Sequence, residues 1–286
     1  MCPDQELSEK AITKYRERTY RLLPGSRIKS ESQALDFVHE RQFIFFWPIK
    51  GIPFPSLWGA AAGDRPVPNN HDDPGHITWR WKDNLLNQKE WFYAKVLRGK
   101  STIISLDMVG CFFALSDSAF LGIEDLEYLH RIGKHSRLEL EIYSLLLLSG
   151  PLDSIAMRER LRTSLVFSSG EFNRALVSLQ RNLQILPVGI TDKGRWHYAY
   201  LYNTVENYYP KKLESAFDIS REVAREIILS AYFRSNGFAA FTDVKKLFGW
   251  DPIEIGQTLE TLHGAGTIHS IEYGHQHSFF HKELLK

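Results

Sequence analysis

One order of elements, three helices followed by a two-stranded hairpin, occurs twice in succession after residue 136. That repetition constrains the fold more than any single segment does. In the first copy, Leu138, Ile142, Leu145 and Leu146 recur at helical intervals over residues 137–149, and Gly150-Pro151 ends the run. Asp153 is placed to cap a second helix reaching about residue 162, because its carboxylate accepts the N–H groups left free in a first turn. Ser168 or Ser169 opens a third helix whose stripe is Phe172, Ala175, Leu176, Leu179 and Leu183. Residues 185–190, a turn at Asp192-Lys193-Gly194 and a strand ending near Tyr202 complete a hairpin.

The second copy opens with a helix over 221–234, followed by Asn236-Gly237. A helix over 242–248, with Thr242 as its cap, and one over 252–263, with Pro252 in its first turn, come next. Strands over 267–273 and 277–281 flank Gly274-His275-Gln276. Helix–helix–helix–hairpin in tandem is the winged-helix plan. The fold class expected is therefore α+β, mainly α, built from winged-helix units (a helix-turn-helix plus a β-hairpin wing).

Residues 1–135 carry weaker signals. Helices are expected over 8–22 and 32–43. Six prolines (48, 53, 55, 66, 68 and 74) are expected to rule out regular helix between Trp47 and Pro74. Strands are expected over 77–81 and 101–105, a helix over 91–98 and a helical connector over 123–132. The region reads as a third, elaborated winged-helix unit, which gives domains at 1–135, 136–210 and 211–286.

Several features together resemble the AlkZ/YcaQ family of winged-helix DNA glycosylases. They are an N-terminal helical part, a Trp/Pro-rich segment, the stretch Trp81-Lys82-Asp83, and the openings Leu140-Glu141-Ile142-Tyr143 and Gly150-Pro151-Leu152. The resemblance implies three consecutive winged-helix units, double-stranded DNA as partner, no cofactor, and excision of alkylated or crosslinked bases by an N-glycosylase. It also implies a Gln-apolar-Gln or Gln-apolar-Asp triplet in the first unit. The comparable segment here is Phe46-Trp47-Pro48-Ile49-Lys50-Gly51, with Pro48 and Lys50 near the positions of the polar pair. A non-catalytic regulator or interaction scaffold is the alternative that this departure favours.

Four residues are candidates for chemistry. Lys50, if partly buried, has the lowered pKa that Schiff-base formation with an abasic sugar needs; a lysine contacting phosphate or solvent is the alternative. Asp72 and Asp73, between His71 and His76, can activate water or simply cap turns. Asp64 precedes Arg65 as a possible ion pair. For DNA contact, Lys10, Lys14, Arg18 and Arg21 recur along one side of the first expected helix. Residues 1–100 hold 16 Lys and Arg against 12 Asp and Glu.

The repeats differ in what they offer a phosphate backbone. The first exposes Asn173, Arg174 and Arg181 on its third helix, and Lys193 and Arg195 on its wing. In the second, Glu254, Gln257 and Glu260 take the corresponding places, so it is expected to support the first or to bind protein. The histidines of the second hairpin follow strand alternation without a nearby cysteine, so no metal is expected.

Bulk composition sets the outer limits. The 286 residues are 43% hydrophobic, which is ample for packed cores, and net charge is +1, which excludes a strongly basic coat. Cys2 and Cys111 are too few for a disulfide framework or a zinc site of their own. With no signal peptide and no apolar run approaching the ~20 residues of a bilayer span, a monomer in the cytoplasm is expected, nucleoid-associated if bacterial.

Overall fold

The computed structural model describes residues 7–70, 72–194 and 197–285. They fall into two compact units. The first joins Met1–Trp81 to Arg221–Lys286; the second is Lys82–Ser220. The architecture is mainly helical, with small antiparallel sheets. Among the described residues no helix is long and apolar enough to cross a membrane.

The second unit contains the first repeat with the element order its sequence implies. Ser136 accepts the Glu139 N–H while the Glu139 carboxylate accepts from Ser136, a reciprocal cap that starts the Arg137–Ser149 helix. Gly150, at φ +73°, ends it by a turn that a side chain would strain. Asp153 caps Ser154–Leu161 through the N–H groups of Ile155 and Ala156. Ser168 and Glu171 repeat the reciprocal cap at Ser169–Arg181.

A hairpin of Ile185–Thr191 and Ala199–Thr204 follows, with Ile185 opposite Thr204 and Thr191 opposite Ala199. The short strand Leu152–Asp153 pairs with Ala199–Thr204 from the other side, giving a first–third–second strand order. Ile142, Leu146, Met157, Phe172 and Leu179 close the core with no exposed surface. Burial of each such side chain is worth roughly 1.5–3 kcal/mol.

The first unit brings the chain's beginning and end together. Its C-terminal part repeats the same order: Arg221–Asn236, Phe238–Ala240, Phe241–Phe248, Pro252–Gly264, then strands Ile268–Tyr273 and Gln276–His281. Again the strand order is first–third–second. The helix Glu9–Thr19, capped by Ser8, lies against Arg221–Asn236. There Tyr15 donates to the Arg234 carbonyl at 2.9 Å, Thr19 to that of Ser235 at 2.7 Å, and Arg16 to those of Asn236 and Phe238 at 3.1 and 2.8 Å. Downstream, Phe54 stacks on Tyr232 at 5.6 Å and Phe43 meets Phe248 at 6.2 Å.

Four local expectations are overturned. The proline-rich stretch does contain a helix, Leu57–Ala62, which fits between Pro55 and Pro66 and is capped by Ser56. Residues 77–81 are not a strand but the start of the helix Ile77–Asn87, which follows a turn capped by Asp73. Thr78, Trp81, Lys82, Leu85 and Leu86 are buried at helical spacing. Residues 91–98 are not a helix: Trp91–Ala94 pairs with Thr102–Ser105, and all four residues of each strand are buried, so neither strand shows polar alternation. Finally, Phe241–Phe248 is capped by Asp243 reaching back to the Ala240 N–H at 3.1 Å, because extended backbone runs to Ala240, two residues before the expected cap Thr242.

Candidate functional site

In the first unit the Trp/Pro-rich segment folds around an aromatic cluster. Trp47 lies 5.3 Å from Trp58, 5.7 Å from Trp79 and 6.0 Å from His76, and His76 stacks on Trp79 at 4.9 Å. Trp47, His76 and Trp79 are partly exposed, whereas Trp58 is wholly buried. A polar clasp holds the loop over Trp58. The Arg65 guanidinium lies 4.9 Å over its ring and makes two bonds to Asp73, at 2.9 and 2.6 Å. Asp73 also accepts the Gly75 N–H at 2.8 Å. Gly75 is required here, since a Cβ would come within 2.6 Å of the Trp58 ring.

Beside this cluster is a cleft of about 460 Å³. Pro48 contributes to its wall, and its charged lining is Arg16, Glu17, Arg27, Asp64 and Arg65. Gly63, at φ +83°, lets the Arg27 guanidinium pack against the backbone, where a Cβ would lie 2.2 Å from Nη2. The cleft therefore combines two carboxylates with three fixed positive groups. Such a set can hold an anionic ligand while presenting a base to it.

The four chemical candidates do not converge. Asp64 lines the cleft, and its expected partner Arg65 is bound to Asp73 instead. The Arg65 pair, aided by the Gly75 N–H, holds the Asp73 carboxyl below the usual range, and Asp73 caps the turn at Pro74–His76. Asp72 is exposed, with its N–H bound to Asn70. Lys50 is exposed in the tight turn closed by Ile49 and Ile52, so the burial that would activate its amine is absent.

Lys10, Lys14 and Arg18 do stand exposed along Glu9–Thr19. Arg21 does not extend their row; it falls beyond the helix end at φ +59° and pairs with Glu40 at 2.7 Å. In the second unit, Asn173, Arg174 and Arg181 are exposed on Ser169–Arg181, with Asn173 accepting from Arg158 at 3.0 Å. Lys193 is engaged by the capping carboxylate of Asp153 at 2.8 Å, and Arg195 lies outside the described residues. Among the described residues no three His, Cys, Asp or Glu side chains gather as a metal site would need.

The buried lysine is Lys82, a position that sequence reading noticed only as part of Trp81-Lys82-Asp83. Its side chain has no exposed surface, and Nζ bonds Tyr200 at 2.6 Å and Tyr198 and Asp83 at 2.7 Å each. The ring of Tyr93 lies 5.3 Å away, and Tyr198 donates to Asp83 at 3.0 Å. Burial pulls the amine below its ordinary pKa, with Asp83 opposing. The alternation of Tyr198, Tyr200 and Tyr202 along the second wing strand was the available signal.

A family model for AlkZ-related proteins matches residues 28–249. The chain belongs to the AlkZ-related family. No curated protein matches it. Among solved structures, the Streptomyces sahachiroi DNA glycosylase AlkZ superposes with a TM-score of 0.60 at 13% identity, over 96% of this chain and 70% of that one. At that identity the likeness is one of fold. Within this AlkZ-related chain, the cleft lined by Pro48 adjoins the segment where the family resemblance expects the polar catalytic pair.

Proposed function

We propose that this AlkZ-related protein binds double-stranded DNA and admits one extruded nucleotide to the cleft beside Pro48. Enzymes that act on a base take it out of the stack. A cavity of about 460 Å³ is within the range that small-ligand sites occupy. The observation that carries the reading is the cleft's lining: arginines 16 and 27 suit a nucleotide phosphate, Arg65 is held at its edge by Asp73, and Asp64 and Glu17 suit a sugar that becomes cationic as its N-glycosidic bond breaks. In this scheme Asp64 takes the proton of the attacking water. The N-glycosidic bond breaks with its electron pair on the base, the water oxygen bonds to the anomeric carbon, and the proton that Asp64 accepted passes to the departing base.

The scheme treats the chain as a monomer of three winged-helix units, divided near residues 135 and 210 and acting in the cytoplasm. The identical first–third–second strand order of the two repeats supports a common plan for the last two of these units. DNA contact is assigned to Lys10, Lys14 and Arg18 and to the exposed face of Ser169–Arg181.

Pro48 and Lys50 favour a second reading, a non-catalytic regulator that binds DNA without chemistry or a protein-interaction scaffold. Incision assays on duplexes carrying alkylated bases separate the two. Base release by the wild type and its loss in Asp64→Asn support the glycosylase. Salt-dependent binding without release leaves the DNA-binding regulator, and absence of binding even at low salt sinks both DNA readings and leaves the scaffold.

A further inference from the structure

The first unit holds another cavity, of about 400 Å³, of whose lining the scheme above uses only Arg18. Tyr15 and Arg18 of the first helix, Glu40 and Arg41 near the end of Glu31–Arg41, Arg234 of Arg221–Asn236, and Glu283 line it. Three guanidinium groups thus face one small volume together with two carboxylates. Of those carboxylates, Glu40 is already shared between Arg21 and Arg41 at 2.7 Å each.

Arg41 is the informative member. Its side chain is 7% exposed, yet its ion-pair partner Glu40 is 45% exposed. Its Nε is buried and has no hydrogen-bond partner, and Nη1 reaches only the Arg234 carbonyl at 3.3 Å. Burial lowers its pKa, and the like charge of Arg234 adds to the effect against the pull of Glu40. Neither Arg18 nor Arg234 has an ion pair among the described residues: Arg18 lies over the Tyr15 ring at 5.0 Å, and Arg234 donates to the Glu40 carbonyl at 3.3 Å. Glu40 pairs with Arg41, and the unused Nε beside two further guanidinium groups leaves donors for a second anion. Guanidinium forks match the oxygens of a phosphate geometrically.

We propose that this cleft is a phosphate-binding site, filled by a backbone phosphodiester when the protein is on DNA. The second clause rests on the function proposed above. The test uses the full chain carrying Arg18→Gln/Arg234→Gln, two exposed side chains whose replacement leaves the core intact. Duplex affinity is measured from about 50 to 200 mM salt. The slope of log K against log salt is expected to fall by about one to two. A charge-matched control, Lys134→Gln/Lys211→Gln, keeps the wild-type slope. In parallel, inorganic phosphate without DNA raises the wild-type melting temperature and not that of the variant.

A lost phosphate response with an unchanged duplex slope keeps the site and assigns it to free phosphate rather than to the backbone. Wild-type behaviour of the variant in both experiments, or an equal fall in the control, overturns the proposal. Neither measurement depends on base release, so failure of the glycosylase reading leaves this test standing.

Discussion

The ammonium of Lys82 sits 2.7 Å from the carboxylate of Asp83, its neighbour in the chain, with the Lys82 side chain wholly buried. Tyr198 bridges the two, accepting from one and donating to the other. Removing the lysine leaves a carboxylate that is only 12% exposed without its counter-ion. Lys82→Met is therefore expected to destabilise the fold by about 3–5 kcal/mol. In urea denaturation the double variant Lys82→Met/Asp83→Asn should lose less than the sum of the single changes. Additivity within about 0.5 kcal/mol would dismiss the coupling.

The tyrosines around that pair set an alkaline limit. Burial raises the phenol pKa values of Tyr198, Tyr200 and Tyr202 above the ordinary 10.0. Folded phenols thus keep their protons where unfolded ones lose them, and the stability they contribute is complete below pH 10 and lost as pH rises beyond it. Each phenol contributes at most about 1.4 kcal/mol per pH unit. Tyr202→Phe should flatten the fall in unfolding free energy between about pH 10 and 12 by one proton's worth. An unchanged slope would mean that Tyr202 ionises in the folded protein.

Gly237 joins the two ends of the first unit. It adopts φ +75°, and a Cβ there would lie 2.5 Å from the Tyr15 ring. Both the backbone and the contact oppose a side chain, so Gly237→Ala should cost more than 1 kcal/mol, roughly 2–4 in all. Thermal melts would register this directly. A melting temperature within a degree of wild type would show that the first helix yields easily.

The two repeats should differ on DNA. Arg174 and Arg181 are exposed on the third helix of the first repeat, whereas the second exposes Gln257 and Glu260 and ties Glu254 to Arg225 at 2.9 Å. Arg174→Gln/Arg181→Gln is expected to lower the salt slope of duplex binding by about two, while Glu260→Gln leaves affinity level or slightly raised. Equal effects from both variants would remove the assignment of a DNA face to the first repeat.

Residue order alone determined the tandem repeat, helix by helix. Apolar spacing and capping act between residues three or four apart, as at Ser136 with Glu139 and Ser168 with Glu171. Tertiary structure decided the rest. Trp91–Ala94 became a strand because both of its faces are covered, which erases the alternation that marks a strand. Burial of Lys82 was not legible locally, since its desolvation depends on tyrosines 116 and 118 residues away. Asp64 and Asp73, similar in sequence, parted when Arg65 chose the latter. Joining of the two chain ends was likewise beyond local reading, because Tyr15 meets Arg234 across 219 residues. Periodicity records which side of an element is buried, but it carries no information on what buries it.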